Sequence, residues 1–163
     1  MSKLPCPADI QLVRATTDDA ARVQALLRES FAGLLDKYQD YDTNPGSMTV
    51  EDVAWRLMQA QTHYYFIVAD GQTVGAIRVV DFQDGQTRKR IAPLCVLPAW
   101  RNRGIAQRAI ALAEEIHGAN HWMLDTVLQE KGNCHLYEKM GYHATGKTEV
   151  VNERMTLTFY EKD

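Results

Sequence analysis

Residues 94–106 read Leu94-Cys95-Val96-Leu97-Pro98-Ala99-Trp100-Arg101-Asn102-Arg103-Gly104-Ile105-Ala106: an apolar strand, a turn, and the start of an amphipathic helix. That order suits an anion. The first amides of a helix have no intrahelical partner and lie at the positive end of its dipole. Gly104 and Ala106 let a bulky group approach the backbone closely. Arg101 and Arg103 add guanidinium charge, whose geometry matches phosphate oxygens. The same residues also fit a structural role, with Gly104 allowing helix–strand packing and the arginines solvated. Neither G-x-x-x-x-G-K-[ST] nor G-x-G-x-x-G occurs, which argues against a Walker-type nucleotide hydrolase or a dinucleotide-dependent dehydrogenase.

Other reactive residues are less tightly grouped. Cys134 and His135 are adjacent on a short helix and point in different directions, so they make no nucleophile–base dyad, and Cys134 reads as a buried structural cysteine. The three cysteines, Cys6, Cys95 and Cys134, show neither a disulfide framework nor a CxxC metal pattern, and no metal is expected. The stretch Asp36-Lys37-Tyr38-Gln39-Asp40-Tyr41-Asp42 gathers carboxylates and tyrosines. Tyr38, Asp40 and Tyr41 could receive a cationic amine by charge and cation–π contact; a hydrophilic surface loop would look much the same.

These residues need elements to hold them. The 163 residues suffice for one domain over 1–163 with a real core, at 45% hydrophobic and 24% charged. A net charge of -3 argues against a nucleic-acid binder. Residues 1–7 lack the apolar stretch of a signal peptide, and no apolar run is long enough to span a membrane. A cytoplasmic home is the simplest expectation.

A first strand is predicted over 10–15. Thr17 is the predicted cap of a helix striped by Ala20, Val23, Leu27, Phe31 and Leu34. Asn44-Pro45-Gly46 breaks the chain, and Thr49 with Asp52 resembles a capping box for a second helix bearing Val50, Val53, Ala54 and Leu57. Strands follow over 63–69, 73–82 and 90–97, with turns at Asp70-Gly71 and Asp84-Gly85. Pro93 cannot donate a ladder hydrogen bond and implies a bulge or unpaired edge. A helix over 104–117 carries Ile105, Ala109, Leu112, Ala113 and Ile116 and ends at Gly118. A strand over 122–128, a short helix over 133–140 that Asn133 can cap, and a strand pair over 142–160 complete a mixed α/β order. The unit 90–97, 104–117, 122–128 requires a parallel crossover.

The motif and the element order together resemble the GNAT superfamily of N-acetyltransferases over nearly the whole chain. Arg101, Gly104 and Ala106 meet the family's Q/R-x-x-G-x-G/A, and Leu136-Tyr137-Glu138-Lys139-Met140-Gly141-Tyr142 is similar to its L-Y-E-K-x-G-F/Y. The resemblance implies a central, mostly antiparallel sheet with a splayed parallel strand pair, flanked by four helices. It also implies acetyl-CoA as co-substrate. The pyrophosphate would lie on the backbone of Arg101, Asn102, Arg103, Gly104, Ile105 and Ala106, and the pantetheine arm along Leu94, Cys95 and Val96. Asn133 would sit near the cofactor. Tyr137 would protonate the leaving thiolate, a role a phenol can fill chemically; it also fits a packed helix aromatic. Relatives often place a glutamate on the fourth strand; Arg90, Ile91 and Ala92 stand there, so the base candidates are Glu29 and His63. The expected acceptor is a small primary amine, polyamine- or amino-sugar-like, attacking directly in a ternary complex; dimers are common in the family. The alternatives are an acyl-CoA-binding module without catalysis, a protein N-terminal or lysine acetyltransferase, and a self-associating interaction domain.

Overall fold

The structure, a computed structural model, describes residues 5–163. Residues 1–4, part of the segment read above for a leader, lie outside it. Seven strands form one sheet in the order β1-β2-β3-β4-β5-β7-β6. They are β1 Ile10–Arg14, β2 Thr62–Ala69, β3 Gln72–Val80, β4 Lys89–Val96, β5 Trp122–Val127, β6 His143–Asn152 and β7 Met155–Lys162. The helices are α1 Ala20–Tyr38, α2 Val50–Leu57, α3 Ile105–His117 and α4 Lys131–Lys139. Every sheet pairing is antiparallel except β4 with β5, which the α3 crossover makes parallel. Among the described residues no helix is long and apolar enough to cross a membrane.

Helices cover both faces. Ala20, Val23 and Leu27 of α1 and Val53 of α2 pack with Tyr64, Phe66, Ala76 and Cys95 on one side. Ile105, Ala109, Ile110 and Ala113 of α3 and Cys134 and Tyr137 of α4 pack with Ile77, Val79, Ile91, Trp122 and Leu124 on the other. The alternation of side chains along β3, β4 and β5 therefore decides which groups meet which helix layer.

Several boundaries differ from the sequence reading for local reasons. A 3-10 turn, Thr17–Asp19, precedes α1, which moves the cap from Thr17 back to Thr16, whose amide donates to Asp19 Oδ2 at 2.9 Å. Val50 and Ile116, assigned to apolar stripes, are 38% and 54% exposed because each lies at a helix end beyond the sheet. The Thr49/Asp52 capping box forms as read, with both reciprocal bonds at 3.1 Å.

Candidate active site

The anion-suited turn is built by backbone conformation. After β4 a 3-10 turn, Pro98–Trp100, leads to Asn102 and Gly104, both left-handed at φ 63° and 80°. Gly104 adopts this without a Cβ penalty and caps α3 with no side-chain bond to its amides. The first intrahelical donor is Arg108, to the Gly104 carbonyl at 3.1 Å, so the amides of Ile105, Ala106 and Gln107 remain open. Arg101 is a strut as well as a charge: its Nε donates to the Val96 carbonyl at 3.0 Å and its Nη2 to the Ser30 carbonyl at 2.6 Å, tying α1 to the turn. Arg103 lies over the Trp100 ring at 4.7 Å, and its buried Nε has no partner among the described residues. An uncapped helix start beside a buried, unsatisfied guanidinium nitrogen fits a phosphate group.

Beside this turn the sheet opens. β4 and β5 pair only at Lys89–Trp122 and Arg90–Met123, then part. On the β3 side, Ile77 faces Leu94 while Val79 faces Ile91, so β4 carries one extra residue at Ala92-Pro93. Pro93 thus marks a bulge, as its missing amide implied. From Ala92 onward β4 is paired to β3 alone, and the edge of Leu94, Cys95 and Val96 facing β5 is free for an extended ligand. The Cys95 side chain packs in the α1 layer, where burial pushes its thiol up, so it contributes backbone and not nucleophilic chemistry.

Tyr137 of α4 stands on the β5 side of the opening. Its ring packs against Tyr142 and Tyr160 with centroids 6.1 and 6.3 Å apart. Burial first, then the nearby Asp125 charge, pushes its phenol well above the ordinary range, so it is protonated at neutral pH. Its hydroxyl has no hydrogen-bond partner among the described residues. Asn133 does not cap α4: the helix begins at Lys131 with Glu130 as its cap, because the Asn133 amide already bonds to the Glu130 carbonyl at 3.1 Å. Asn133 is instead exposed, one turn before Tyr137 on the same side of the helix.

The two base candidates are not brought to this opening. Glu29 is exposed on α1 with no ion pair among the described residues. His63 is buried, and both its ring nitrogens are committed: Nδ1 to Arg14 Nη1 at 3.0 Å and Nε2 to the Asp81 carbonyl at 3.2 Å. It lines a separate cavity of about 760 Å3 at the other end of the sheet, with Tyr65, Asp81 and His117. Tyr38, Asp40 and Tyr41 do not converge. The Tyr38 hydroxyl donates to Glu130 Oε2 at 2.5 Å. Asp40 accepts from the amide and hydroxyl of Thr43, and Tyr41 is 64% exposed. The link between α1 and α2 uses its polar atoms to hold its own shape.

A family model described as "Acetyltransferase (GNAT) family" matches residues 22–142. The chain belongs to that family. Its acetyltransferase chemistry is therefore acetyl-CoA-dependent N-acyl transfer. No curated protein matches the sequence. An acetyltransferase from Thermus thermophilus is 15% identical at TM-score 0.68, covering 98% of this chain and 97% of that one. PaiA N-acetyltransferase from Thermoplasma acidophilum, in complex with coenzyme A, is 16% identical at TM-score 0.71, covering 95% and 99%. Spermidine N-acetyltransferase from Vibrio cholerae, in complex with CoA and spermine, is 12% identical at TM-score 0.73, covering 93% of each chain. At these identities the likeness is one of fold.

Two groups beside the opening of this GNAT chain escaped the sequence reading. Asp125 on β5 reaches across the opening to Arg90 Nη2 at 2.5 Å. The lone charged residue in Trp122-Met123-Leu124-Asp125-Thr126-Val127 was the available signal. Arg78 donates from Nη1 to the Ala92 carbonyl at 2.7 Å, satisfying the acceptor that the bulge removes from the ladder. Nothing in its position along β3 marks it in the sequence as a bulge residue.

Proposed function

We propose that the protein transfers the acetyl group of acetyl-CoA to the primary amine of a small molecule, by direct attack in a ternary complex. The observation that carries this reading is the parting of β4 and β5 after Arg90, with a free β4 edge on one side and the Tyr137 phenol and Asp125 carboxylate on the other. The amides of Ile105, Ala106 and Gln107, with Arg103 beside them, hold the pyrophosphate; the backbone of Leu94, Cys95 and Val96 pairs with the pantetheine arm; Asn133 lies one turn from the thioester end. The co-substrate supplies an activated acyl group as a thioester. The chain's own residues manage the protons. Asp125, directly or through one water, takes the proton that frees the amine lone pair from its ammonium, and the neutral amine then attacks the thioester carbon to form the N–C bond. Tyr137 gives its proton to sulfur as the C–S bond breaks, a role that suits a phenol kept protonated by burial.

A panel of primary amines assayed for free-thiol release tests catalysis and acceptor together. Turnover with at least one small amine is expected. In parallel, CoA at about a hundredfold its Kd should stabilise the fold by about 2.7 kcal/mol, about 5–10 °C in Tm for a chain of this length. No shift at millimolar CoA would overturn the cofactor site itself; a shift without turnover of any amine would leave a binding module.

A further inference from the structure

We infer that the acceptor amine carries an oxyanion, a carboxylate or phosphonate, and that Arg78 is the residue that receives it. This rests on the acetyltransferase reading above and names the substrate class of the same opening.

Register puts Arg78 directly opposite Tyr64, a residue of the α1/α2 core layer, so the two side chains share that face of the sheet. Through its bond to the Ala92 carbonyl, Arg78 is held at the bulge where β4 leaves β5. Arg90, opposite Val80 on the same face, is the last residue of β4 to pair with β5. Arg78 therefore stands beside the apex of the opening, on the face away from α3 and α4, next to the strand along which the thioester arm would run.

This guanidinium is unbalanced. Among the described residues no carboxylate forms an ion pair with it, whereas Arg90 is answered by Asp125. Arg56, on the last turn of α2, shares a hollow of about 280 Å3 with Asp42 and Asp52. The Arg78 Nε and the Tyr64 hydroxyl beside it are both buried and without a partner. Burial first, then the charges of Arg56 and Arg90, brings the Arg78 group down to about 10 against an opposing effect of Tyr64, so it keeps its charge at neutral pH. A buried charge with two like charges nearby and a free donor is costly to maintain. An oxyanion bound to Nε and the remaining amino nitrogen in the two-pronged guanidinium geometry would cancel that cost, with the Tyr64 hydroxyl as a further donor. A polyamine would meet the reverse: a second cation against Arg78, Arg56 and Arg90, which like-charge repulsion penalises. The link of Tyr38, Asp40 and Tyr41, which would have drawn a cation, has its Asp40 carboxylate and Tyr38 hydroxyl already occupied.

The test compares α-amino acids and aminoalkylphosphonates with their neutral amides and with spermidine. Anionic amines should exceed their amides in kcat/KM by at least tenfold, with spermidine lower still. Turnover of spermidine or of a neutral amide equal to that of every anionic amine overturns the proposal. Binding is read separately, so that an inactive enzyme does not leave the question open. N-acetyl amino acids added to the CoA-saturated protein should raise Tm further, and their amides should not; an absent carboxylate-dependent shift overturns the proposal whatever the turnover. Arg78→Gln should abolish that second shift while leaving the shift from CoA. Because Arg78 also braces the bulge, Arg56→Gln serves as a variant on a partly exposed helix position: it should weaken the anion shift severalfold with the CoA shift intact. Loss of neither shift in both variants would place the anion site elsewhere and overturn the assignment.

Discussion

In the proposed reaction Tyr137 and Asp125 divide the proton chemistry between them, and each can be replaced by a residue of nearly the same shape. Tyr137→Phe keeps the packing against Tyr142 and Tyr160 and deletes one hydroxyl. It should lower kcat by about 100-fold or more while the Tm shift from CoA stays unchanged. Because burial raises the phenol, the wild-type rate should show no loss on the alkaline side below pH 10 from this group; a fall there that vanishes in the phenylalanine variant would reject the acid role. Asp125→Asn should likewise reduce kcat with CoA binding preserved; an unchanged rate would pass the base role to solvent. Tyr137 was singled out by its motif. Asp125, the proposed base, was not, because a base is defined by what it faces, and only the sheet register brings β5 beside Arg90.

At the scale of elements, the proposed cofactor groove depends on how closely β3 and β4 approach. A Cβ on Gly75 would lie 2.1 Å from the Cys95 carbonyl oxygen, in backbone that has no side chain to move aside. Gly75→Ala should therefore destabilise the protein by about 1–3 kcal/mol, about 3–10 °C in Tm, and should weaken CoA binding because the displaced segment is the proposed pantetheine edge. Thermal melts with and without CoA would measure both. An alanine variant that melts with the wild type would mean the strands part more easily than this contact allows. The boundaries of α3 and its glycine turn were readable from local pattern. The start of α4 was not: Asn133 is a good cap by type, yet the chain turns helical two residues earlier, at Lys131, where the residues after β5 bring Glu130 into the cap position.

At the scale of the molecule, the sheet carries a second polar network around His117, away from the anion-suited turn. Asp81 Oδ2 accepts from His117 Nδ1 at 2.8 Å, His117 Nε2 meets the Tyr65 hydroxyl at 2.9 Å, and His63 packs against His117 with ring centroids 4.9 Å apart. Burial depresses His63 below its ordinary 6.5, with the Arg14 and His117 charges acting the same way. The unfolded chain then binds more protons than the folded one between 6.5 and the lowered value. Stability from this group is complete above pH 6.5 and declines as pH falls through that window. Unfolding by urea at pH 7.5 and 5.5 should show the loss, and His63→Gln should be less stable overall yet show a smaller difference between the two pH values. An undiminished difference would assign it to another group. Asp81 is held below its usual range too, because the His117 and Gln83 bonds outweigh its burial, so its contribution is lost only in more acidic solution, below about pH 4.

By itself the sequence determined the family, the order of elements and the anion-suited turn at Arg101 to Ala106, since these rest on residues adjacent in the chain: hydrophobic period, a breaker, a glycine before a helix. Tertiary structure alone decided which distant groups share the opening. It removed His63 to the other end of the sheet and turned the Asp40 carboxylate inward to its own link. It set Asp125 across from Arg90 and left Arg78 unanswered beside the bulge. The reason is that a side chain's chemistry depends on its neighbours' charge and on access to water, and in a sheet those neighbours come from strands separated by tens of residues.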